Sequence, residues 1–317
     1  MRKCKIIITM GDPSGIGPEV VAKALRHPKF NRHVEFIVVG DKFVFDKVFP
    51  GYVFYRNPVE FIDLSNVERK KFSFGKIKPE YGKASLEYID TALDLIKVRN
   101  NIGALVTAPV NKESVSLVSK EFYGHTEYLA MRTRVRNFAM LLVNNKFKIA
   151  LVTRHASLES VARKINKENI RAVIRTCDKF FRKFYSINKP NIGVCALNPH
   201  ASDHGLFGTE EQKIIIPALK NIGKRIRCRG PYPADTLFSL AQKSKFDVIV
   251  AMYHDQALIP LKLTDPKGAA NITMGLPFTR TSPLHGTAMD IAGRNKADAS
   301  SMISAIGHAA NLFINEA

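Results

Sequence analysis

The sequence predicts an α/β protein, a mainly parallel sheet covered by helices, and three observations carry that expectation. Apolar runs of strand length recur, helix-spaced segments separate them, and several runs end on residues able to do chemistry. With 317 residues, 45% of them apolar, the chain can build two lobes with real cores, and disorder is excluded for the whole. The strand-like runs are Lys5 to Thr9, Val34 to Val39, Ala104 to Thr107, Lys148 to Thr153, Ile192 to Leu197 and Asp247 to Met252. Between them, Pro18 to Leu25 and Ser85 to Ile96 space apolar residues at three and four, with Pro18 suited to a first helical turn. Leu158 to Ile174 and Glu210 to Leu219 follow the same period. No repeat or low-complexity linker marks a domain boundary.

Forty-eight Lys and Arg against 28 Asp and Glu leave a formal charge of +20, which suits nucleic acid, an anionic surface or phosphorylated small molecules. The basic residues are scattered in short clusters such as Arg69-Lys70-Lys71 and are not interleaved with aromatics, so a solvated basic surface is expected and nucleic-acid binding is not. Cys4, Cys177, Cys195 and Cys228 occur singly, which suggests neither a zinc knuckle nor a disulfide framework and fits a reducing compartment. The first apolar run is broken by Gly11-Asp12-Pro13 before it reaches signal-peptide or membrane-span length, so a soluble cytoplasmic protein is expected.

Ligands in open α/β sheets collect at the carboxyl ends of strands, where loops converge. Three runs here lead into histidine: Lys148 to Thr153 into His155, Ile192 to Leu197 into His200, and Asp247 to Met252 into His254 with Asp255 beside it. Each alone reads as readily as a strand-end cap. Together they suggest a shared divalent-metal site, because neutral imidazoles bind such ions and three protein nitrogens leave positions for substrate. A fourth run, Ala104 to Thr107, opens a loop leading to Gly124-His125-Thr126-Glu127, where side chains suit phosphate or carboxylate and Thr126 is placed to cap a helix over 127–134.

Longer segments are more specific: Met10-Gly-Asp-Pro-Ser-Gly-Ile-Gly-Pro-Glu19, Gly124 to Glu127, Leu197-Asn-Pro-His200, Pro233-Ala-Asp-Thr-Leu237, Tyr253-His-Asp-Gln256 and the run from Asn271 to Ser282. On these the chain resembles the PdxA family of 4-hydroxythreonine-4-phosphate dehydrogenases of pyridoxal phosphate biosynthesis, from its first strand to near its C-terminus. His285 to Arg294 and the N-terminal glycine turn are more distantly similar to isocitrate and isopropylmalate dehydrogenases, which bind NAD(P) without the G-x-G-x-x-G fingerprint. The resemblance implies a two-domain α/β/α fold with the active site in the interdomain cleft, residues 1–125 plus 275–317 forming one domain and 126–274 the other. It implies a metal (Zn2+, Mg2+ or Co2+) on His155, His200 and His254, completed across a homodimer. Substrate contacts are implied for His125, Thr126, Lys262, Asn271 and Arg280, and NAD or NADP contacts for His285, Gly286 and Asp290.

The implied reaction oxidises 4-phosphooxy-L-threonine to a β-keto acid that decarboxylates to 3-amino-2-oxopropyl phosphate. A metal on the hydroxyl oxygen would favour both steps. Arg280 suits either the phosphate or the carboxylate. Asp235 and Asp255 are candidates for orienting a histidine ligand or relaying the hydroxyl proton, and Lys262 is a further proton acceptor if burial lowers its pKa; the three stand unranked. Two loops depart from the family's usual glycine-rich pattern, Ala201 to Gly208 after His200 and Ala257 after Gln256, which bears on substrate identity. His204 is expected outside the ligand set. The competing readings are a paralogous dehydrogenase of 4-phospho-threonate or -erythronate, and a basic nucleic-acid-binding protein without catalysis.

Overall fold

The computed structural model describes residues 4–28, 30, 34–51, 59–99, 101–243 and 245–316. Met1-Arg2-Lys3 and the side chain of Cys4, which entered the reading of the N-terminus and of the cysteines, lie outside the described residues. The chain forms two compact units, Met1–Arg134 with Pro277–Asn315, and Val135–Leu276.

The first unit begins β1 (Cys4–Thr9), α1 (Gly17–Leu25), β2 (Val34–Gly40), α2 (Lys42–Val48), β3 (Val59–Asp63), α3 (Pro79–Val98), β4 (Ile102–Thr107), α4 (Lys112–Ser116) and α5 (His125–Arg132). The second holds β5 (Ala139–Val143), β6 (Lys148–Leu151), α6 (Leu158–Lys164), α7 (Lys167–Phe184) and β7 (Ile192–Cys195). It continues through a π turn (Glu211–Ile215), α8 (Ile216–Lys220), β8 (Cys228–Tyr232), α9 (Ala234–Gln242), β9 (Val248–Ala251), α10 (His254–Thr264) and β10 (Ala270–Met274). The chain then returns to the first unit with β11 (Thr279–Pro283), and α11 (Ser300–Glu316) follows.

In the first unit the strands lie in the order β3-β2-β1-β4-β11, every neighbour parallel. Strand β1 is interior, so Ile6, Ile7 and Ile8 are all fully buried and the strand reads as one apolar run rather than alternating. In the second unit the order is β10-β5-β6-β9-β7-β8; β5 is antiparallel to both neighbours, and β6, β9, β7 and β8 run parallel. The tight β5–β6 turn is held by the Asn144 side-chain oxygen, which accepts from the backbone N–H of Lys146 and Phe147.

Three sequence expectations change. The helical stretch expected over 158–174 is two helices, because Asn166 leaves the helix and its side chain caps α7 by accepting from Asn169 N at 2.8 Å. The helix expected over 127–134 begins at His125, with Gly124 in the cap position, so Thr126 is a buried first-turn residue rather than a cap. Helix α5 falls within the first unit, which runs to Arg134, where the expected boundary lay at 125/126. Cys177, Cys195 and Cys228 are free thiols. No described helix is long and apolar enough to cross a membrane.

Candidate active site

The strands that precede the three histidines are neighbours, β6, β9 and β7 in that order, so parallel pairing delivers their carboxyl ends to one edge. Two hydrogen-bond clamps fix that edge. Thr153 donates through Oγ1 to the Met252 carbonyl at 2.7 Å. Buried Gln256 accepts from Met252 N at 2.7 Å and donates to the Ala196 carbonyl at 2.8 Å, tying the ends of β9 and β7 together.

The rings of His155 and His254 lie 5.9 Å apart, centre to centre. Two imidazoles bound to one zinc at ~2.0–2.1 Å per nitrogen have ring centres roughly 5–6 Å apart, so the pair fits a shared ion. Nδ1 of His254 lies 2.7 Å from the Asp255 carboxylate. In the neutral imidazole this contact favours the tautomer with the proton on Nδ1 and Nε2 open to a metal, the usual second support of a metal-bound histidine.

His200 is placed differently. Residues His200 to His204 all have positive φ, between 44° and 67°, a left-handed turn built without glycine that leaves both histidines exposed. The His200 ring sits beside Phe207, and no group of three His, Cys, Asp or Glu among the described residues is arranged to hold a metal. The single chain therefore gathers two of the three candidate ligands.

The loop leading into His200 is held by Glu211, which sequence reasoning missed. Its buried carboxylate accepts from Leu197 N, Asn198 N and Asn198 Nδ2, each at 2.9 Å, while Glu210 accepts from Asn198 Nδ2 at 2.8 Å. Glu211→Ala strands two backbone donors and is expected to cost about 2–5 kcal/mol, read as a lower denaturant midpoint at unchanged slope. An unchanged midpoint would show that the loop does not depend on this carboxylate.

In the first unit a second cluster forms where β4 ends. Arg280, on β11, is 2% exposed and donates through Nη2 to Thr107 Oγ1 at 2.6 Å. Burial pushes its guanidinium down to about 9, so it is charged at neutral pH. His125 opens α5, and its enclosed Nε2 has no hydrogen-bond partner among the described residues. Burial, then the charges of Arg280 and Lys112, hold its pKa well below the usual range, so the imidazole is neutral. Helix α5 is anchored to α3 by the Tyr128 hydroxyl, which donates to Asp90 at 2.8 Å, and Phe122 packs edge-on against the His125 ring.

The glycine turn after β1 abuts this cluster. A Cβ on Gly11 would stand 2.3 Å from the Pro109 carbonyl oxygen, and one on Gly15 would stand 3.0 Å from Thr287, so close backbone packing explains both glycines. Ile16 N donates to the Thr287 carbonyl at 2.9 Å, which seats the loop after His285 on the turn. His285 Nδ1 faces the Gly286 carbonyl at 3.0 Å, leaving Nε2 as an enclosed acceptor with no partner among the described residues. Gly286 borders open space, and Asp290 is exposed. The unpartnered ring nitrogen of His285 is the polar group of this loop that a bound nucleotide could satisfy.

Asp12, in the same turn, is fully buried, accepts from Ser14 N at 2.9 Å and is pushed by burial from 3.8 up to about 6. Its folded pKa exceeds its unfolded one, so the penalty is absent below about pH 4, grows as pH rises, and is complete above about pH 6. Asp12→Asn should therefore stabilise at pH 7.5 by up to about 3 kcal/mol and by almost nothing at pH 4, measured by urea unfolding at both pH values. Equal effects at the two pH values would contradict a desolvated carboxyl.

The remaining candidates are scattered over the second unit. Asn271 is buried on β10 opposite Leu142, and Asp235 is exposed in the first turn of α9 without capping it. Lys262 is exposed in the last turn of α10, so the burial on which its role as proton acceptor depended is lacking in the single chain. Ala257, where glycine was expected, is wholly buried in α10.

Parallel strands with chemistry at their carboxyl ends define an α/β enzyme. The family model of the pyridoxal phosphate biosynthetic protein PdxA matches residues 5–309, and the chain belongs to that family. It is 40% identical to a 4-hydroxythreonine-4-phosphate dehydrogenase of Sulfurihydrogenibium sp. (strain YO3AOP1), over 95% of this chain and 96% of that protein. It is 38% identical to a D-threonate 4-phosphate dehydrogenase of Cupriavidus necator, over 98% and 97%. The crystal structure of 4-hydroxythreonine-4-phosphate dehydrogenase from Klebsiella pneumoniae superposes with a TM-score of 0.88 at 35% identity, covering 98% of this chain and 99% of that one.

Proposed function

We propose that the protein oxidises the secondary alcohol of 4-phosphooxy-L-threonine with NAD or NADP and a divalent metal, in the cytoplasm, as a step of pyridoxal phosphate biosynthesis. The observation that carries the reading is the His155–His254 ring pair, with Asp255 fixing the His254 tautomer, in a chain of this family. His155, His254 and His200 hold the ion, the third ligand coming from the other subunit of a homodimer. Exposed Leu158, Leu206, Phe207, Ile259 and Leu263 lie on the segments that carry these histidines and suit burial between subunits. Zinc, cobalt and magnesium are the candidate ions.

A divalent ion held by His155, His254 and His200 would supply Lewis-acid stabilisation of the alkoxide, and a bound nicotinamide would supply the hydride acceptor as the alcohol is oxidised to a ketone and its proton passes to a nearby side chain. His125, Thr126 and Arg280, with Lys262 and Asn271, bind the anionic groups of the substrate and orient it. His125, held neutral, hydrogen-bonds without adding charge. Asp235 and Asp255 are the acceptors available for the hydroxyl proton, joined by Lys262 where the second subunit buries it, and His285, Gly286 and Asp290 hold the adenosine end of the cofactor. The product, 2-amino-3-oxo-4-phosphooxybutanoate, is a β-keto acid and loses carbon dioxide to give 3-amino-2-oxopropyl phosphate.

The test is NADH or NADPH formation with 4-phosphooxy-L-threonine beside D-threonate 4-phosphate, with and without added divalent ion. Metal-dependent turnover favouring the amino substrate is expected. Preference for D-threonate 4-phosphate would move the chain to the paralogous activity, a reading that the similar identities to both kinds of relative keep in view. Salt-sensitive RNA binding with no turnover of either would overturn the enzyme reading.

A further inference from the structure

We infer that Lys112, which none of the site assignments above includes, is a further substrate-binding residue and that its ammonium contacts the substrate phosphate together with His125 and Arg280. The inference rests on the proposed function and deepens it. Lys112 stands in the loop after β4, at the first position of α4, where Asn111 caps the short helix by accepting from Ser114 N at 2.8 Å. Its side chain reaches across to the start of α5. A Cβ built on Gly124 would lie 3.8 Å from Lys112 Cε and 3.9 Å from Nζ. The missing side chain at Gly124 thus leaves the space over which the ammonium lies.

Three further observations make this a cradle for a tetrahedral dianion. The cap position of α5 is Gly124, which brings no side chain to the positive end of that helix. His125, in that same turn, keeps its enclosed Nε2 without a partner among the described residues, and both Arg280 and Lys112 are near enough for their charges to bear on it. Lys112 itself has no hydrogen-bond or ion-pair partner among the described residues, although it is exposed and the Glu127 carboxylate also lies beside Gly124. An ammonium without a carboxylate partner, sharing with a buried guanidinium its influence on an unpartnered imidazole, is placed for an anion brought by the ligand.

The experiment uses the full-length chain and its Lys112→Met and Lys112→Arg variants, with two readouts. Calorimetry measures inorganic phosphate binding without turnover. Steady-state kinetics measures KM for 4-phosphooxy-L-threonine. Lys112→Met should weaken phosphate binding and raise KM by about 10- to 100-fold, more than it lowers kcat, and Lys112→Arg should recover most of both. Phosphate affinity and KM unchanged in Lys112→Met would overturn the assignment. If the wild-type chain oxidises neither phosphorylated substrate, the functional reading falls, and the calorimetric comparison still decides whether Lys112 binds phosphate.

Discussion

His254→Ala is expected to lower kcat/KM for the phosphorylated alcohol by at least about a thousandfold and to release the divalent ion, while the fold persists. The size follows from what the pair supplies: Lewis-acid stabilisation of a forming alkoxide is worth several kcal/mol, and each 1.36 kcal/mol is a factor of ten. The fold should persist because His254 is only half-buried at the start of α10, so its removal leaves neither a core cavity nor a stranded buried donor. His155→Ala should match it, and the double variant should be little worse than either, since the two act as a unit. Asp255→Asn should weaken metal binding by roughly 10- to 100-fold, because it removes the acceptor that fixes the tautomer. Elemental analysis beside thermal unfolding separates lost metal from lost fold. Full turnover by a metal-free His254→Ala protein would remove the pair from catalysis.

Arg280→Met should raise KM by about 30- to 1000-fold, the cost of losing charge-assisted hydrogen bonds from a buried guanidinium to an anion. Arg280→Lys should recover little, since a planar fork that reaches Thr107 at 2.6 Å is not reproduced by a point charge on a shorter donor set. The change has a second consequence that a merely structural role would not produce. Arg280 is the larger of the two charges holding the His125 pKa down, so its removal should raise that pKa, followed by the ring nitrogen shifts of His125 in a pH titration. An unmoved His125 titration together with an unchanged KM would place Arg280 outside the anion cluster.

Much of this architecture was legible in the residues. The buried strands β1, β2 and β4 are continuous apolar runs, and such runs betray parallel sheets. That three other strands, β6, β7 and β9, lead into histidine was legible too. That β6, β9 and β7 lie side by side was not, because parallel neighbours are joined through distant segments and periodicity carries no pairing. Strands β10 and β11 escaped notice for another reason: Asn271, Thr279, Arg280 and Thr281 are polar residues buried on strands, so the functional demand overrides the hydrophobic pattern. Glu211 and Lys112 were missed because their roles exist only in three dimensions, one reaching back to 197–198 and the other across to Gly124. The left-handed turn at 200–204 had a faint signal, Ser202 and His204 standing where small, glycine-rich residues were expected.

The central claim is that imidazoles from separate strands share one divalent ion. Anomalous diffraction at the cobalt edge, from crystals of the full chain grown with cobalt, tests it directly. The account predicts one peak per chain within bonding distance of the His155 and His254 rings, with His200 of a second subunit completing the set, and no peak in His254→Ala crystals. A wild-type protein with no ion between those rings, and with turnover untouched by chelator, would contradict it.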